Sequence, residues 1–198
     1  MKNRPSWDEI FMFQAISCAT RHTCLKRPVG AVVVKDKKII GSGYNGAARG
    51  IKSCRELDYC YYDNLAQKEF DKNGDDISLV RETYKMYCRA VHAEANAISQ
   101  CTTENSDGST LYITNYPCPA CANNVIVTHK IAGIKVWKNY LENPLVTIDE
   151  KRASDDILKQ AGISISEISL SGNRIIEIAT YMANQVGERT SYKYSKPE

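Results

Sequence analysis

Two short motifs, His92-Ala93-Glu94 and Pro117-Cys118-Pro119-Ala120-Cys121, constrain the fold of this chain more than any other feature. One imidazole and two thiolates make three zinc ligands. They leave a fourth tetrahedral position for water, as a catalytic zinc requires. The spacing predicts that His92 and Glu94 open an apolar helix running to Gln100, and that the cysteines open a second helix, Pro119 to Val127. A strand, Thr110 to Thr114, lies between them. One ion shared by both motifs therefore joins the starts of two helices. A helix N-terminus also favours thiolate over thiol at Cys118 and Cys121. Glu94, two residues past the histidine, is left free to move protons.

The pattern H-x-E followed by P-C-x-x-C is that of zinc-dependent base deaminases. Hydrolysis of the amino group of a cytosine or adenine ring needs hydroxide at neutral pH, and bound zinc supplies it by lowering the pKa of its water. Glu94 can take the water proton, pass it to the ring nitrogen and later protonate the departing ammonia. Two blander readings of Cys-Pro-Ala-Cys are a thioredoxin-type redox pair and a structural zinc knuckle. Both leave His92 and Glu94 unexplained.

At 198 residues the chain is long enough for one sizeable α/β core. A hydrophobic content of 43% and a charged content of 25% are ordinary for a soluble globular protein. The net charge of +3 is too small to argue for a nucleic-acid partner by itself. No apolar run approaches membrane-spanning length, so no membrane partner is expected. Met1 to Pro5 lead straight into a helix with no signal-peptide core, which points to a cytoplasmic protein. Eight cysteines in that compartment are better explained by metal and buried thiols than by disulfides.

Ser6-Trp7-Asp8-Glu9 reads as a capping box, and Ile10, Phe13, Ile16 and Ala19 continue at helical spacing. Val29 to Val34 reads as a central strand. Lys35-Asp36-Lys37 turns the chain, and Lys38 to Ser42 returns as a second strand. Gly41, Gly43 and Gly46 superficially match a dinucleotide fingerprint, but they open a loop and no helix. Residues 47–91 are the least regular part, with one short helix expected over Leu79 to Tyr87. Further on come a strand at Ile134 to Lys138 and a helix capped by Ser154 with Asp155 and Asp156 in its first turn. Gly162 stops that helix. A strand at Ile163 to Leu170, a helix at Arg174 to Val186 and a polar, mobile tail from Gly187 complete the chain. This order implies one mixed sheet covered by helices on both faces. The expected division is a catalytic domain over 1–171, with 172–198 as a helix and tail packed on or extending it.

The chain resembles the deoxycytidylate (dCMP) deaminases of the cytidine-deaminase superfamily. The resemblance is carried by Arg21-His22-Thr23-Cys24, Val29-Gly30-Ala31-Val32, Gly43-Tyr44-Asn45-Gly46, the segment Val91 to Ile98, and Thr110 to Thr114 before Pro117-Cys118. It implies the superfamily's three-layer α/β/α sandwich around a five-stranded mixed sheet. It implies conversion of dCMP to dUMP and ammonia, which feeds thymidylate synthesis, by a homohexamer. It also implies dCTP activation and dTTP inhibition, with Mg2+ accompanying a nucleotide effector. His92, Cys118 and Cys121 carry over as zinc ligands and Glu94 as proton shuttle. Asn45 matches the loop asparagine that contacts the nucleotide, Lys26 or Arg27 is the candidate for its phosphate, and Tyr140 matches a substrate-side tyrosine. Two departures are Ala48, where many relatives have proline, and a longer segment between Cys60 and Cys88.

Some dCMP deaminases carry a second, structural zinc, and the resemblance offers Cys24, Cys54, Cys60 and Cys88 as its four ligands. Spacing alone reads these as separate buried thiols. Cys18 and Cys101 read as core thiols, and His22 and His129 as surface or capping residues. Tyr59, Tyr61 and Tyr62 fit either base stacking or subunit packing. A tRNA or polynucleotide deaminase would share the zinc chemistry but should show a basic strand-binding surface. A non-catalytic zinc protein would have no need of Glu94. Among free nucleotides, dCMP, dCTP and a 5-substituted dCMP remain open.

Overall fold

Ser6 starts the first helix as the capping box requires. Its hydroxyl accepts from the Glu9 amide at 3.1 Å, and the Glu9 carboxylate accepts from the Ser6 amide at 2.8 Å. The computed structural model describes residues 4–74, 76–138 and 147–188, with side chains through Tyr181. Tyr140 and the tail from residue 189 onward lie outside the described residues.

Helix α1 (Trp7–Ala19) leads to β1 (Gly30–Lys35) and β2 (Lys38–Tyr44). The turn between these strands puts both Asp36 (φ 49°) and Lys37 (φ 60°) in the left-handed region, the geometry of a two-residue hairpin. Next come β3 (Gly46–Ala47), α2 (Cys54–Leu57), α3 (Tyr61–Asn73), α4 (Ile77–Tyr84) and a 3-10 turn at Lys85–Tyr87. Then follow β4 (Ala90–Val91), α5 (Ala93–Ile98), α6 (Thr103–Ser106), β5 (Thr110–Ile113) and α7 (Pro119–Cys121). Directly after Cys121 the helix widens into a π-type winding over Ala122–Val127, a distortion frequent beside functional sites. The chain closes with β6 (Gly133–Trp137), α8 (Ile148–Gln160), β7 (Ser164–Ile168) and α9 (Gly172–Glu188).

The sheet is five-stranded and mixed, in the order β2-β1-β5-β6-β7. Strand β1 runs antiparallel to β2 and β5, while β5, β6 and β7 are parallel. Ala31, Val33, Leu111, Ile113, Ile134 and Val136 point to one face and are fully buried against α5, the π-type turn and α8. Burying a side chain of valine size or larger in this way contributes about 1.5–3 kcal/mol. Val32, Val34 and Tyr112 point to the other face and pack with Phe11, Met12 and Ala15 of α1. Ile175 and Ile178 of α9 join that face, and Arg174 pairs with Glu9 at 2.7 Å. The result is the α/β/α sandwich.

Gly41 and Gly43, expected to open a loop, lie instead within β2, where they meet α5. A β-carbon on Gly43 would stand 2.5 Å from the Ala97 amide nitrogen and 2.6 Å from the Ala93 carbonyl oxygen. On Gly41 it would stand 2.2 Å from the Ala97 carbonyl oxygen. These glycines let α5 lie directly on β2. Two side chains near the helix end then reach the outer edge of β2. The Gln100 carboxamide donates to the Ser42 carbonyl and accepts from its amide, and Asn96 donates to the Tyr44 carbonyl at 2.8 Å.

Two expectations need correction. The region 47–91 is helical over much of its length, because α3 and α4 pack on each other. Second, the helix assigned to Ser154 begins at Ile148. Thr147 and Glu150 form its capping box, and Ser154 is a fully buried residue in its middle. Among the described residues no helix is long and apolar enough to cross a membrane.

Candidate active site

Strand β4 delivers His92. Val91 pairs with Gly46, next to Asn45, and His92 follows as the cap residue of α5 without using its side chain as a cap. Its ring is left free to act as a ligand. Cys118 caps α7, and its sulfur accepts from the Cys121 amide at 3.5 Å. The His92 Nδ1 lies 3.5 Å from Cys118 Sγ and 3.3 Å from Cys121 Sγ. All three ligand atoms fall within 4.8 Å of one another, and no other set of three or more does so among the described residues. Zinc–sulfur and zinc–nitrogen bonds of about 2.3 and 2.0–2.1 Å give a tetrahedral N–S edge of about 3.6 Å. The donor set and spacing therefore fit zinc. His92 is exposed, Cys118 half-buried and Cys121 buried, so the open side of the trio is where water and a small substrate can approach.

The three groups share protons. The hydrogen bond to Cys118 pushes His92 up to about 9, and the Cys121 thiol together with His92 pulls Cys118 down to about 4. Cys121 moves up, first because it donates to Cys118 and then because it is buried. One thiolate ringed by donors is an arrangement in which a divalent cation can displace the protons. Glu94 is only 4% exposed, and burial pushes its carboxyl up to about 7, against the pull of His92. A carboxyl near neutrality can both accept and return a proton at working pH.

The other expected site residues fall into two places. Asn45 is buried; its Oδ1 accepts from the Val29 amide at 2.9 Å and its Nδ2 donates to the Arg27 carbonyl at 2.7 Å. It thus fixes the backbone that carries Arg27, whose charge bears on His92. Lys26 points toward α3 instead. Its ammonium pairs with Asp63 at 2.7 Å and lies 4.2 Å from the centre of the Tyr62 ring. Arg89 covers the Tyr61 ring at 3.6 Å, so two members of the tyrosine cluster are occupied by cations of this chain.

Cys24, Cys54, Cys60 and Cys88 lie in one region of the fold, but no three of their sulfurs come within 4.8 Å of one another. Thr23 receives the Arg55 amide on its carbonyl at 3.2 Å and the Ala47 amide on its hydroxyl at 3.2 Å, which brings the neighbourhoods of Cys24 and Cys54 together. Burial pushes Cys60 up to about 11 and raises Cys88; charge on Cys54 adds to both, and charge on Cys24 adds to Cys88. Cys18 and Cys101 pack against the two faces of the core. His22 bonds the Ala19 carbonyl at the end of α1, and His129 bonds the Val125 carbonyl.

Reading the sequence did not reveal the contact of α8 with the cysteine segment. Ser154 Oγ donates to the Pro117 carbonyl at 2.8 Å, and the Tyr116 hydroxyl donates to Asp155. The sequence did hold a signal, since Thr147-x-x-Glu150 is a second capping-box pattern upstream of Ser154.

Comparison with known proteins agrees with this geometry. Residues 5–137 match the cytidine and deoxycytidylate deaminase zinc-binding region. The chain is 40% identical over 121 residues to the deoxycytidylate deaminase of Mycobacterium phage D29, covering 61% of this chain and 87% of that one. It is 31% identical over 173 residues to ComE operon protein 2 of Bacillus subtilis, covering 84% and 74%. In fold it is similar to the crystal structure of the cyanophage S-TIM5 dCMP deaminase in complex with dCMP and dUMP. The TM-score is 0.55 at 23% identity, covering 84% of this chain and 99% of that one. With its zinc-ligand trio, its buried glutamate and these relatives, the chain belongs to the cytidine and deoxycytidylate deaminase family.

Proposed function

We propose that this protein hydrolyses dCMP to dUMP and ammonia, and so supplies dUMP for thymidylate synthesis. The observation that carries the proposal is the buried Glu94 set against the His92, Cys118 and Cys121 trio, in a chain with a deoxycytidylate deaminase relative at 40% identity. His92 Nδ1 and the two sulfurs would hold zinc, and zinc bound there would supply the Lewis acidity that makes water nucleophilic at neutral pH. Glu94 accepts one proton from the attacking water and delivers it to the ring nitrogen next to the amino-bearing carbon. It then takes the proton of the new hydroxyl on that carbon and gives it to the departing amine as the C–N bond breaks and the carbonyl forms. Its burial keeps bulk water from competing for the proton. The test is ammonia release from dCMP, dCTP, 5-methyl-dCMP, CMP, deoxycytidine, dAMP and a single-stranded oligonucleotide. Preference for any of the others over dCMP overturns the substrate assignment.

Asn45 and a basic side chain hold the nucleotide, and Arg27 is the better of the two basic candidates for the phosphate. Arg27 is the one whose charge reaches the metal site, whereas the Lys26 ammonium is turned toward Asp63 and Tyr62 of α3. A charge-assisted hydrogen bond contributes about 1.5–3 kcal/mol, so Arg27→Ala is expected to cut kcat/KM for dCMP by about 10- to 100-fold. Deoxycytidine, which has no phosphate, should lose far less, and Lys26→Ala should leave the ratio of the two substrates near its wild-type value. Equal losses on both substrates in Arg27→Ala would place the phosphate elsewhere.

Cys24, Cys54, Cys60 and Cys88 hold a second, structural zinc in a closed thiolate site. The sequence resemblance carries this assignment; no three of these four sulfurs fall within 4.8 Å of one another, so binding would have to draw them together. Metal analysis should give two zinc ions per chain, and Cys54→Ser/Cys60→Ser should lower the count to one with a loss of thermal stability. A count of one in wild type removes the second site. The catalytic domain spans 1–171 and is buttressed by the C-terminal helix. A cytoplasmic homohexamer, activated by dCTP with Mg2+ and inhibited by dTTP, completes the proposal. Sedimentation and assays with each nucleotide test those parts.

A further inference from the structure

The two halves of the metal trio are held by different parts of the molecule. His92 and Glu94 ride on α5, which is wedged onto β2 at Gly41 and Gly43. Cys118 and Cys121 ride on the segment after β5, and that segment meets α8. Lys151, Ser154, Asp155 and Leu158 share one face of α8, by their spacing of three and four residues. Leu158 anchors the face in the core, fully buried. The other three address the two residues before Cys118. Ser154, also fully buried, donates to the Pro117 carbonyl at 2.8 Å. Asp155 accepts from the Tyr116 hydroxyl, and the Lys151 ammonium stands 5.3 Å from the centre of the Tyr116 ring. Tyr116 is itself buried. The Pro117 carbonyl belongs to the peptide unit that enters Cys118, so the Ser154 hydroxyl sets that peptide plane. Helix α8 lies beyond residues 5–137, the part matched to the family.

We propose that Ser154 and Asp155 are positioning residues for the metal centre, latching the Pro117–Cys118 peptide and the Tyr116 side chain before it so that both cysteine sulfurs keep their place relative to His92 and Glu94. The proposal rests on the zinc assignment to His92, Cys118 and Cys121. Groups that orient metal ligands act on the affinity and reactivity of the ion without touching it. A peptide released at Pro117 can rotate, and Cys118, one bond away, moves with it.

The test uses the full chain with Co2+ in place of zinc, because the visible bands of a Co2+–thiolate centre report ligand geometry. In Ser154→Ala the bands should shift, chelator competition should show zinc held about tenfold less tightly, and kcat should fall about tenfold with KM within about twofold of wild type. Ser106→Ala provides the comparison. Ser106 is equally buried and its hydroxyl donates to the His129 carbonyl at 2.9 Å, away from the trio, so it should lose stability and leave the bands unmoved. If Ser154→Ala does not fold, Tyr116→Phe removes only the contact with Asp155 and carries the same measurements. Wild-type bands and wild-type zinc retention in the folded variants overturn the latch, whatever happens to Tm. Failure of the substrate assignment is read separately, as an inactive wild type on dCMP whose Co2+ bands still respond to Ser154→Ala.

Discussion

Glu94→Gln is expected to retain its active-site zinc and to lose about 10²–10⁴-fold in kcat, the range that a positioned proton-transfer group contributes. Glutamine keeps the size of the side chain, so the packing of α5 on β2 is undisturbed. What it cannot do is accept a proton from water and give it back to the ring. Burial holds the native carboxyl close to neutrality, at about 7, which suits a group that must work in both directions within one turnover. The measurement is zinc content alongside steady-state turnover of dCMP. Most of the wild-type rate in a zinc-loaded Glu94→Gln protein would assign the proton transfer to another group. Loss of zinc together with activity would mean that the residue supports the metal as well.

The second large effect is expected from a single methyl group. Gly43→Ala places a carbon 2.5 Å from the Ala97 nitrogen, 2.6 Å from the Ala93 oxygen and 2.9 Å from the Asn96 carbonyl carbon. All three are backbone atoms, so no flexible side chain can swing away. Either the helix lifts off β2 or the strand buckles. Overpacking of a well-filled core costs about 1–3 kcal/mol and more where backbone is the obstacle, so Tm should fall by about 6–12 °C. Helix α5 carries His92 and Glu94 but not the cysteines, so lifting it separates the two halves of the site. A displacement of about 1 Å at a reacting centre costs about 100-fold in rate. Gly172→Ala, where an added carbon meets nothing within 4 Å, should change neither Tm nor turnover appreciably. Thermal unfolding and zinc content of the two variants check this. A Gly43→Ala protein with wild-type Tm would show that α5 can shift along β2 without cost.

The chemistry of the site was legible in the sequence because zinc imposes residue types and spacings that few other demands produce. His92, Glu94, Cys118 and Cys121 announce themselves in that way, and so does the capping box at Ser6. The hairpin was legible from Val29 to Ser42 because a buried strand needs a continuous apolar run. Helix α3 was not. It is polar along most of its length, and Tyr61 and Tyr62 are held by Arg89 and Lys26, partners distant in sequence. Its start at Cys60 has no side-chain cap. Its end was written in Gly74, which adopts the left-handed conformation that closes a helix. Ser154 was misread because a serine followed by two aspartates has the composition of a helix start. The local pattern could not show that Asp155 is engaged by Tyr116 or that the Ser154 hydroxyl serves the Pro117 carbonyl. Both contacts join residues more than thirty positions apart, and only the packing of α8 against α7 and the π-type winding creates them.

The contact of Gln100 with Ser42 has a consequence for how this sheet meets other molecules. An outermost strand normally offers a row of unsatisfied amides and carbonyls on which a foreign strand can grow. On β2 the Gln100 carboxamide presents one donor and one acceptor to Ser42, as a residue of a sixth strand would, and Asn96 covers the next carbonyl. The edge is plugged by side chains of the catalytic helix region. Any extension of the sheet is left to the β7 side, and an assembly that uses the β2 side has to join through side chains rather than through shared strands. Positions 96 and 100 thus guard solubility, and replacements there should be felt first as aggregation on heating or storage while the reaction chemistry a few residues away is untouched.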